Sequence, residues 1–323
     1  MPTLRLGTRG SQLALVQARM VASLISVRTG HHCEEIIIKT SGDRLAEASL
    51  SEIGGKRLFV KEIEDALLAR EIDVAVHSSK DMPAVLPEGL TIGAVLPRED
   101  PRDAMILPGS APPYASLEEI IRALGDGPRI GTSSVRRTAQ LWRLFPMARF
   151  APIRGNLDTR MRKLDSGDYD ALVLAAAGLR RLNHGHRVSA ALPVDACVPA
   201  PGQGIVAVEI RSGDDQTRAV VAAINDTTAA AALDAERAVV ERLGGGCQMP
   251  IGAYARLAEE TVHVAAVVIS IDGERVVRAE ATGAALDARA VGVVAADRLL
   301  ERGAGAILAE ARQAGSAVEG LQP

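Results

Sequence analysis

Over the first two-thirds of this 323-residue chain, short apolar runs alternate with stretches in which apolar residues recur at helical spacing. That alternation confines the fold to an α/β sheet covered by helices on both faces. Leu4 to Gly7 reads as a strand. Ser11 then opens a helix whose Leu13, Val16, Met20, Leu24 and Val27 fall on one stripe. The β-branched run Ile36-Ile37-Ile38 predicts a strand buried on both faces. Leu58 to Arg70 predicts a helix with Phe59, Ile63 and Leu67 together, and Ile72 to Val76 predicts a returning strand.

Two breaks interrupt the alternation. Pro97-Arg98-Glu99-Asp100-Pro101-Arg102-Asp103 sets two prolines among charges, the composition of an inter-domain linker. Pro193 and Pro199-Ala200-Pro201-Gly202-Gln203-Gly204 form the second break, after which Ile205 to Ile210 is again a strand. Between them lies a second α/β unit. It has a capping box at Ser116 to Glu119, a strand ending at Arg129-Ile130-Gly131 and a helix starting near Ser133. A strand to Ile153, a helix capped by Asn156 and a buried strand from Ala171 to Leu174 complete it. The chain is thus expected to cross into a second domain and return, with a hinge and a cleft between. Domain 1 would hold residues 1–98 and 203–224, domain 2 residues 102–198, and a smaller α+β domain 3 residues 227–323. The last opens on an Ala-rich helix, Thr228 to Leu243, and passes through Gly244-Gly245-Gly246-Cys247 into strands near Ala253 and from Val262 to Ile271, then a C-terminal helix.

The net charge of −3 hides an asymmetry. From Arg129 to Arg187 there are twelve basic residues against four acidic ones, a balance of +8 that leaves −11 for the rest. A basic segment in an acidic chain fits an anionic ligand as well as a solvated arginine surface. With aromatics at 2 %, base stacking on nucleic acid is disfavoured. No apolar run is long enough to span a bilayer, and no apolar leader follows Met1, so a cytoplasmic protein with neither nucleic-acid nor membrane partner is expected. Cys33, Cys197 and Cys247 are far apart, without a CxxC or Cys/His cluster, so neither a metal site nor a disulfide framework is expected.

Four stretches carry candidate chemistry. Thr8-Arg9-Gly10-Ser11 lies where a strand meets a helix, a place for a carboxylate or phosphate, or for a simple Ser cap. His77-Ser78-Ser79-Lys80-Asp81-Met82-Pro83 follows a buried strand, at the end where open α/β sheets bind ligands. There Asp81 suits a general acid, an ionised carboxylate facing a developing cation, or a turn residue. Gly131-Thr132-Ser133-Ser134-Val135-Arg136-Arg137, with Arg154-Gly155-Asn156, Arg160 and Arg181, gathers arginines at helix starts, which matches a ligand with several carboxylates. No Walker-type loop accompanies them to favour phosphate. In Gly244-Gly245-Gly246-Cys247-Gln248-Met249-Pro250, three glycines cost backbone entropy that core packing does not explain; they suit a mobile loop that lets a thiol reach another domain, the alternative being an ordinary buried cysteine. Cys33 and Cys197 read as core cysteines.

In this order, Gly54-Gly55-Lys56-Arg57-Leu58-Phe59-Val60-Lys61-Glu62, Ala75-Val76-His77-Ser78-Ser79-Lys80-Asp81, Gly131-Thr132-Ser133-Ser134-Val135-Arg136-Arg137, Arg154-Gly155-Asn156, Pro201-Gly202-Gln203-Gly204 and Gly245-Gly246-Cys247-Gln248-Met249-Pro250 resemble the porphobilinogen deaminase family along nearly the whole chain. The resemblance implies three domains, two of them similar to periplasmic binding proteins around a cleft and a third carrying a cofactor loop. It implies head-to-tail condensation of four porphobilinogen molecules with loss of ammonia, and hydrolytic release of hydroxymethylbilane. A dipyrromethane joined by a thioether to Cys247 would prime the growing polypyrrole chain. It implies cofactor contacts from Ser78, Lys80, Asp81, Thr132, Ser134, Arg136, Arg137, Arg154 and Arg160. Substrate contacts would come from Arg9, Ser11, Arg154, Arg160, Arg181, Gln203, Lys56 and Phe59, the last two on a lid. Asp81 would be the catalytic carboxylate. Ser41 and Glu52 depart from basic residues found in some members. A monomer is expected. The rival expectation is a non-catalytic two-domain binding protein for a dicarboxylate. A Cys-nucleophile acyl transferase is disfavoured because His263 is the sole histidine of the third domain.

Overall fold

A computed structural model of the chain describes residues 3–40, 60–246 and 249–319. β1 (Leu4–Thr8) turns into α1 (Gln12–Thr29), where Ser11 Oγ accepts from Ala14 N at 3.3 Å. There follow β2 (Cys33–Ile37), α2 (Lys61–Leu68), β3 (Val74–Ser78) and β4 (Leu90–Val95). The second unit comprises β5 (Asp103–Ile106), α3 (Leu117–Leu124), β6 (Arg129–Gly131), α4 (Val135–Leu141), β7 (Arg149–Ala151), α5 (Leu157–Asp165), β8 (Ala171–Ala175), α6 (Ala176–Arg181) and β9 (Ala190–Ala191). Three of its four helices start on side-chain caps: Ser116 Oγ accepts from Glu119 N, Ser134 Oγ from Arg137 N, and Asn156 Oδ1 from Thr159 N. β10 (Val206–Arg211), α7 (Asp215–Ala222) and α8 (Thr227–Arg242) lead to β11 (Ile251–Ala258), β12 (Thr261–Ile269), β13 (Val276–Ala284), α9 (Ala288–Glu301) and α10 (Ala304–Glu319).

The sheets have the orders β2-β1-β3-β10-β4, β7-β6-β8-β5-β9 and β11-β12-β13. The first two are mixed. β10 runs antiparallel to β3 and β4, and β5 antiparallel to β8 and β9. Both are the strands that follow a crossover. Val206 pairs with Ser78 and Asp103 with Ala175, so each strand enters its sheet at the carboxyl end of its neighbour and must run back against it. The crossovers meet side by side: Glu99 N donates to Gly204 O at 3.1 Å, Arg98 Nε to Gln203 O at 2.9 Å, and Gln203 Nε2 to Pro101 O at 2.7 Å. Gly204 has φ 90°, and a Cβ there would lie 2.3 Å from Glu99 O, so the approach demands glycine.

The third unit buries α8, α9 and one face of its antiparallel sheet in a core of Ala, Val, Leu and Ile. It is tied to the first through Glu236, which takes Arg98, Gly202 N and Ala255 N. A small apolar cluster of Ala139, Val198, Val267 and Ile269 joins it to the second.

Three expectations shift. The buried stripe of α1 is Gln17, Ala18, Val21 and Ile25, while Val27 is 78 % exposed. Gln17 holds the stripe's register because it pairs with Ser78 across the sheet end, and a polar letter hides that from apolar periodicity. Ile37 is 54 % exposed, since β2 is an edge strand with only Ile36 and Ile38 packed inward. Two helices, not one, close the C-terminal unit, after a third strand, β13.

Candidate active site

β1 and β3 deliver their carboxyl ends to the cleft, where the loop after a strand is free to present polar groups. After Ser78 the chain makes a single 3₁₀ turn, Ser79–Asp81. Ser78 Oγ lies 2.9 Å from Gln17 Nε2, so this hydroxyl is tied to α1. Asp81 ends the turn exposed, on the wall of a cavity shared with Arg9, Ser11 and Ser78. A second cavity carries Arg9, Ser11, Lys80, Asn156 and Arg160. A third carries Lys80 with Arg181 and Gln203. A fourth is lined by Ser79, Lys80, Ser134 and Arg136 together with Gly246 and Met249. Lys80 is the wall common to the last three.

The electrostatics follow from partial burial among cations. Desolvation pulls the Lys80 ammonium down to about 8; Asp81 opposes this and Arg137 adds to it. Arg160 is lowered by desolvation and by Arg137, with Asp81 again opposing. Arg181 is lowered by desolvation against the pull of Glu99; its Nη2 donates to Gly204 O at 2.6 Å, and its buried Nε has no partner among the described residues. A cation held below its ordinary value is stabilised by an arriving carboxylate.

Beneath this wall lies a residue that sequence reasoning left in the linker. Asp103, fully buried, accepts from Arg136 Nη1 at 2.7 Å, Arg137 Nε at 2.8 Å and Gln203 Nε2 at 2.9 Å, and Cys197 Sγ lies 3.3 Å away. Burial alone would raise its carboxyl, but the two guanidiniums outweigh that and hold it well below the usual carboxylate range. Arg136 also donates to Val198 O at 2.6 Å, and Arg137 Nη1 to Val173 O at 3.1 Å. No local signal marks Asp103; it reads as one more charge after Pro101, and its partners lie 33 to 100 positions away.

The structure therefore brings Arg9, Ser11, Ser78, Lys80, Asp81, Ser134, Arg136, Arg160, Arg181 and Gln203 to connected cavities. Thr132, Arg137 and Arg154 do not line them. Thr132 Oγ1 accepts from Ser134 N at 3.3 Å and shapes the start of α4. Gln203 spends its amide nitrogen on Pro101 and Asp103, and its Oε1 is buried with no partner among the described residues. Cys247, Lys56, Phe59, Ser41 and Glu52 lie outside the described residues.

A family model described as "Porphobilinogen deaminase, dipyromethane cofactor binding domain" matches residues 4–219, and one described as "Porphobilinogen deaminase, C-terminal domain" matches residues 230–301. The chain belongs to the porphobilinogen deaminase family. Porphobilinogen deaminase of Geobacillus kaustophilus is 48 % identical over 304 residues, 94 % of this chain and 95 % of that protein. That of Syntrophobacter fumaroxidans is 44 % identical over 308 residues, 95 % of this chain and 97 % of that protein. Among solved structures, substrate-binding domain 2 of Lactococcus lactis GlnP, in an open conformation, covers 70 % of this chain and 87 % of its own at 11 % identity and a TM-score of 0.43. Among the described residues no helix is long and apolar enough to cross a membrane.

Proposed function

We propose that this chain is a transferase that joins four porphobilinogen molecules head to tail, with loss of ammonia at each joining, and hydrolyses off linear hydroxymethylbilane. The observation that carries the reading is the convergence of Asp81 with Lys80, Arg9, Ser11, Arg136, Arg160 and Arg181 on connected cavities between the two mixed sheets. Each porphobilinogen bears an acetate and a propionate, so a growing chain gains two carboxylates per unit and needs such a wall. The domain limits 1–98 with 203–224, 102–198 and 227–323 belong to the proposal.

The cofactor of the family fits the cavity next to Gly246. Met82, Val240, Met249 and Ile251 offer apolar surface to pyrrole rings, and Lys80, Ser134 and Arg136 offer donors to carboxylates. Ser79 Oγ lies on the same wall, buried and without a partner among the described residues. Bound there through a thioether to Cys247, a dipyrromethane supplies the free pyrrole position to which units are joined.

The protein's own groups do the rest. Ammonia leaves the aminomethyl arm of porphobilinogen when its C–N bond breaks, and positive charge spreads onto the pyrrole. The Asp81 carboxylate accepts a hydrogen bond from the pyrrole N–H and holds the ring more tightly as that charge develops, which lowers the barrier. Arg9, Ser11 and Arg160 orient the acetate and propionate. Asp103 keeps Arg136 and Arg137 in place.

Intact mass tests the reading. The purified protein is expected to exceed its sequence mass by two porphobilinogen-derived units, and Cys247→Ser to lack that increment. Asp81→Asn is expected to keep the increment while losing about 10²-fold or more in turnover, the scale of a positioned charge or acid–base group. An unmodified wild type fully active on porphobilinogen overturns the cofactor assignment, and near-normal turnover by Asp81→Asn overturns that of Asp81.

A further inference from the structure

α8 places two consecutive side chains to opposite ends. Glu236, fully buried, takes Gly202 N and Ala255 N at 2.6 Å each and pairs with Arg98, which pins the rotation of the helix against the crossovers. Arg237, the next residue, turns about 100° further on and reaches the cavity that Lys80, Ser134 and Arg136 line from the other two units. Its Nη2 donates to Ala84 O at 2.7 Å, three residues beyond Asp81, and that is its hydrogen-bond partner among the described residues. Gly246 and Met249 line the same cavity, and Met249 N donates to Gly246 O at 3.0 Å, so the chain leaves and re-enters this wall at neighbouring points.

Acidic groups are near but do not pair with it. Glu209, Asp234 and Glu241 attract the guanidinium from a distance, and desolvation still prevails, so Arg237 is held below its ordinary value. A half-buried guanidinium without a carboxylate in salt-bridge range among the described residues is an unusual arrangement, since buried charges are normally paired. The same cavity is lined by the buried Ser79 Oγ, which has no partner among the described residues.

We infer that Arg237 is the third domain's carboxylate ligand: it binds an acetate or propionate of the group carried by Cys247, in the cavity that Lys80 and Arg136 also line. The inference rests on the reading of Cys247 given above. Its consequence is that the group is gripped from all three units, and loading it draws the third domain onto the other two. Arginine suits the position because its planar fork meets a carboxylate through two bonds while Ala84 O keeps another.

The test uses full-length apoprotein made in cells unable to supply porphobilinogen, then loaded with porphobilinogen in vitro. Intact mass follows the adduct, and thermal unfolding follows the rise in Tm on loading. Arg237→Gln and Arg237→Met are compared with the wild type, and any variant whose apo Tm lies within about 2 °C of the wild-type apoprotein is read. The expected result is adduct formation at least tenfold slower and a smaller rise in Tm. Loading at the wild-type rate with the full rise overturns the role of Arg237 while leaving Cys247 as the attachment point. Failure of both variants to fold as apoproteins assigns Arg237 to the fold and overturns it as well. A wild type that gains no adduct overturns the underlying reading instead, so the two failures are told apart.

Discussion

Replacing Asp103 by Asn tests whether the buried carboxylate organises the cleft wall. Asparagine keeps the shape and one oxygen for Gln203 Nε2 and Arg137 Nε, so the perturbation is the loss of one negative charge, with an amide donor in place of the oxygen that faces Arg136 Nη1 and Cys197 Sγ; both arginines are less than 10 % exposed. Breaking a buried pair by removing one partner costs about 3–5 kcal/mol, because the surviving charge stays buried. The exposed pair Arg242–Asp297, with side chains 53 % and 40 % exposed, gives the internal control: Asp297→Asn is expected to cost about 0–1 kcal/mol. Urea unfolding followed by tryptophan fluorescence reads the difference close to where it arises, because the sole tryptophan, Trp142, caps the C-terminus of α4, the helix that carries the arginine pair. The sign with pH is fixed. The folded carboxyl of Asp103 is depressed, so its contribution is fully present above the unfolded value of about 3.9 and is lost only as pH falls through the folded value. The gap between wild type and Asp103→Asn is therefore expected to stay constant from pH 7 to about 4. A loss below about 1 kcal/mol, or a gap that closes already near pH 6, refutes the reasoning.

Three further outcomes follow from the titrating groups. Because desolvation brings Lys80 down to about 8, porphobilinogen binding is expected to weaken as pH rises through that value, and Lys80→Arg to move the fall upward by more than a unit; a binding curve unchanged by Lys80→Arg counts against the ammonium as a ligand. The same lowered value means that the unfolded chain binds more protons between pH 8 and about 10.4, so Lys80 adds stability with rising pH there, an effect that Lys80→Met removes from the urea-unfolding free energy. Burial, with Asp103 beside it, pushes the Cys197 thiol up to about 12, so iodoacetamide at pH 8 is expected to spare it in the native protein and label it after unfolding, read by peptide mass; native labelling refutes that burial.

What was legible in the sequence was what depends on near neighbours. Ser11, Ser116 and Asn156 cap helices because an N-cap needs only the residue three positions on. The strands at Leu4, Ala171 and Val206 are likewise marked by their own apolar runs. The candidate arginines were legible as a cluster of charge, but their division of labour was not. Whether Arg137 faces a cavity or Asp103 is decided by a strand 34 positions earlier. Gln17 broke an apolar stripe in the sequence while holding it in the fold, because its partner Ser78 lies 61 positions away. The mixed direction of both sheets was hidden for the same reason. Strand polarity depends on the end at which the chain re-enters, and no run of residues records that.

The paired crossovers set how the cleft can move. Gly204 and Glu99 touch backbone to backbone, and Gln203 bridges to Pro101, so the two strips are laced into one flat ribbon. A ribbon bends readily across its face and resists shear along its length. The two sheets can then swing like the covers of a book on one spine, but they cannot slide past each other. An insertion in either strip would unlace the spine unless its neighbour lengthened too.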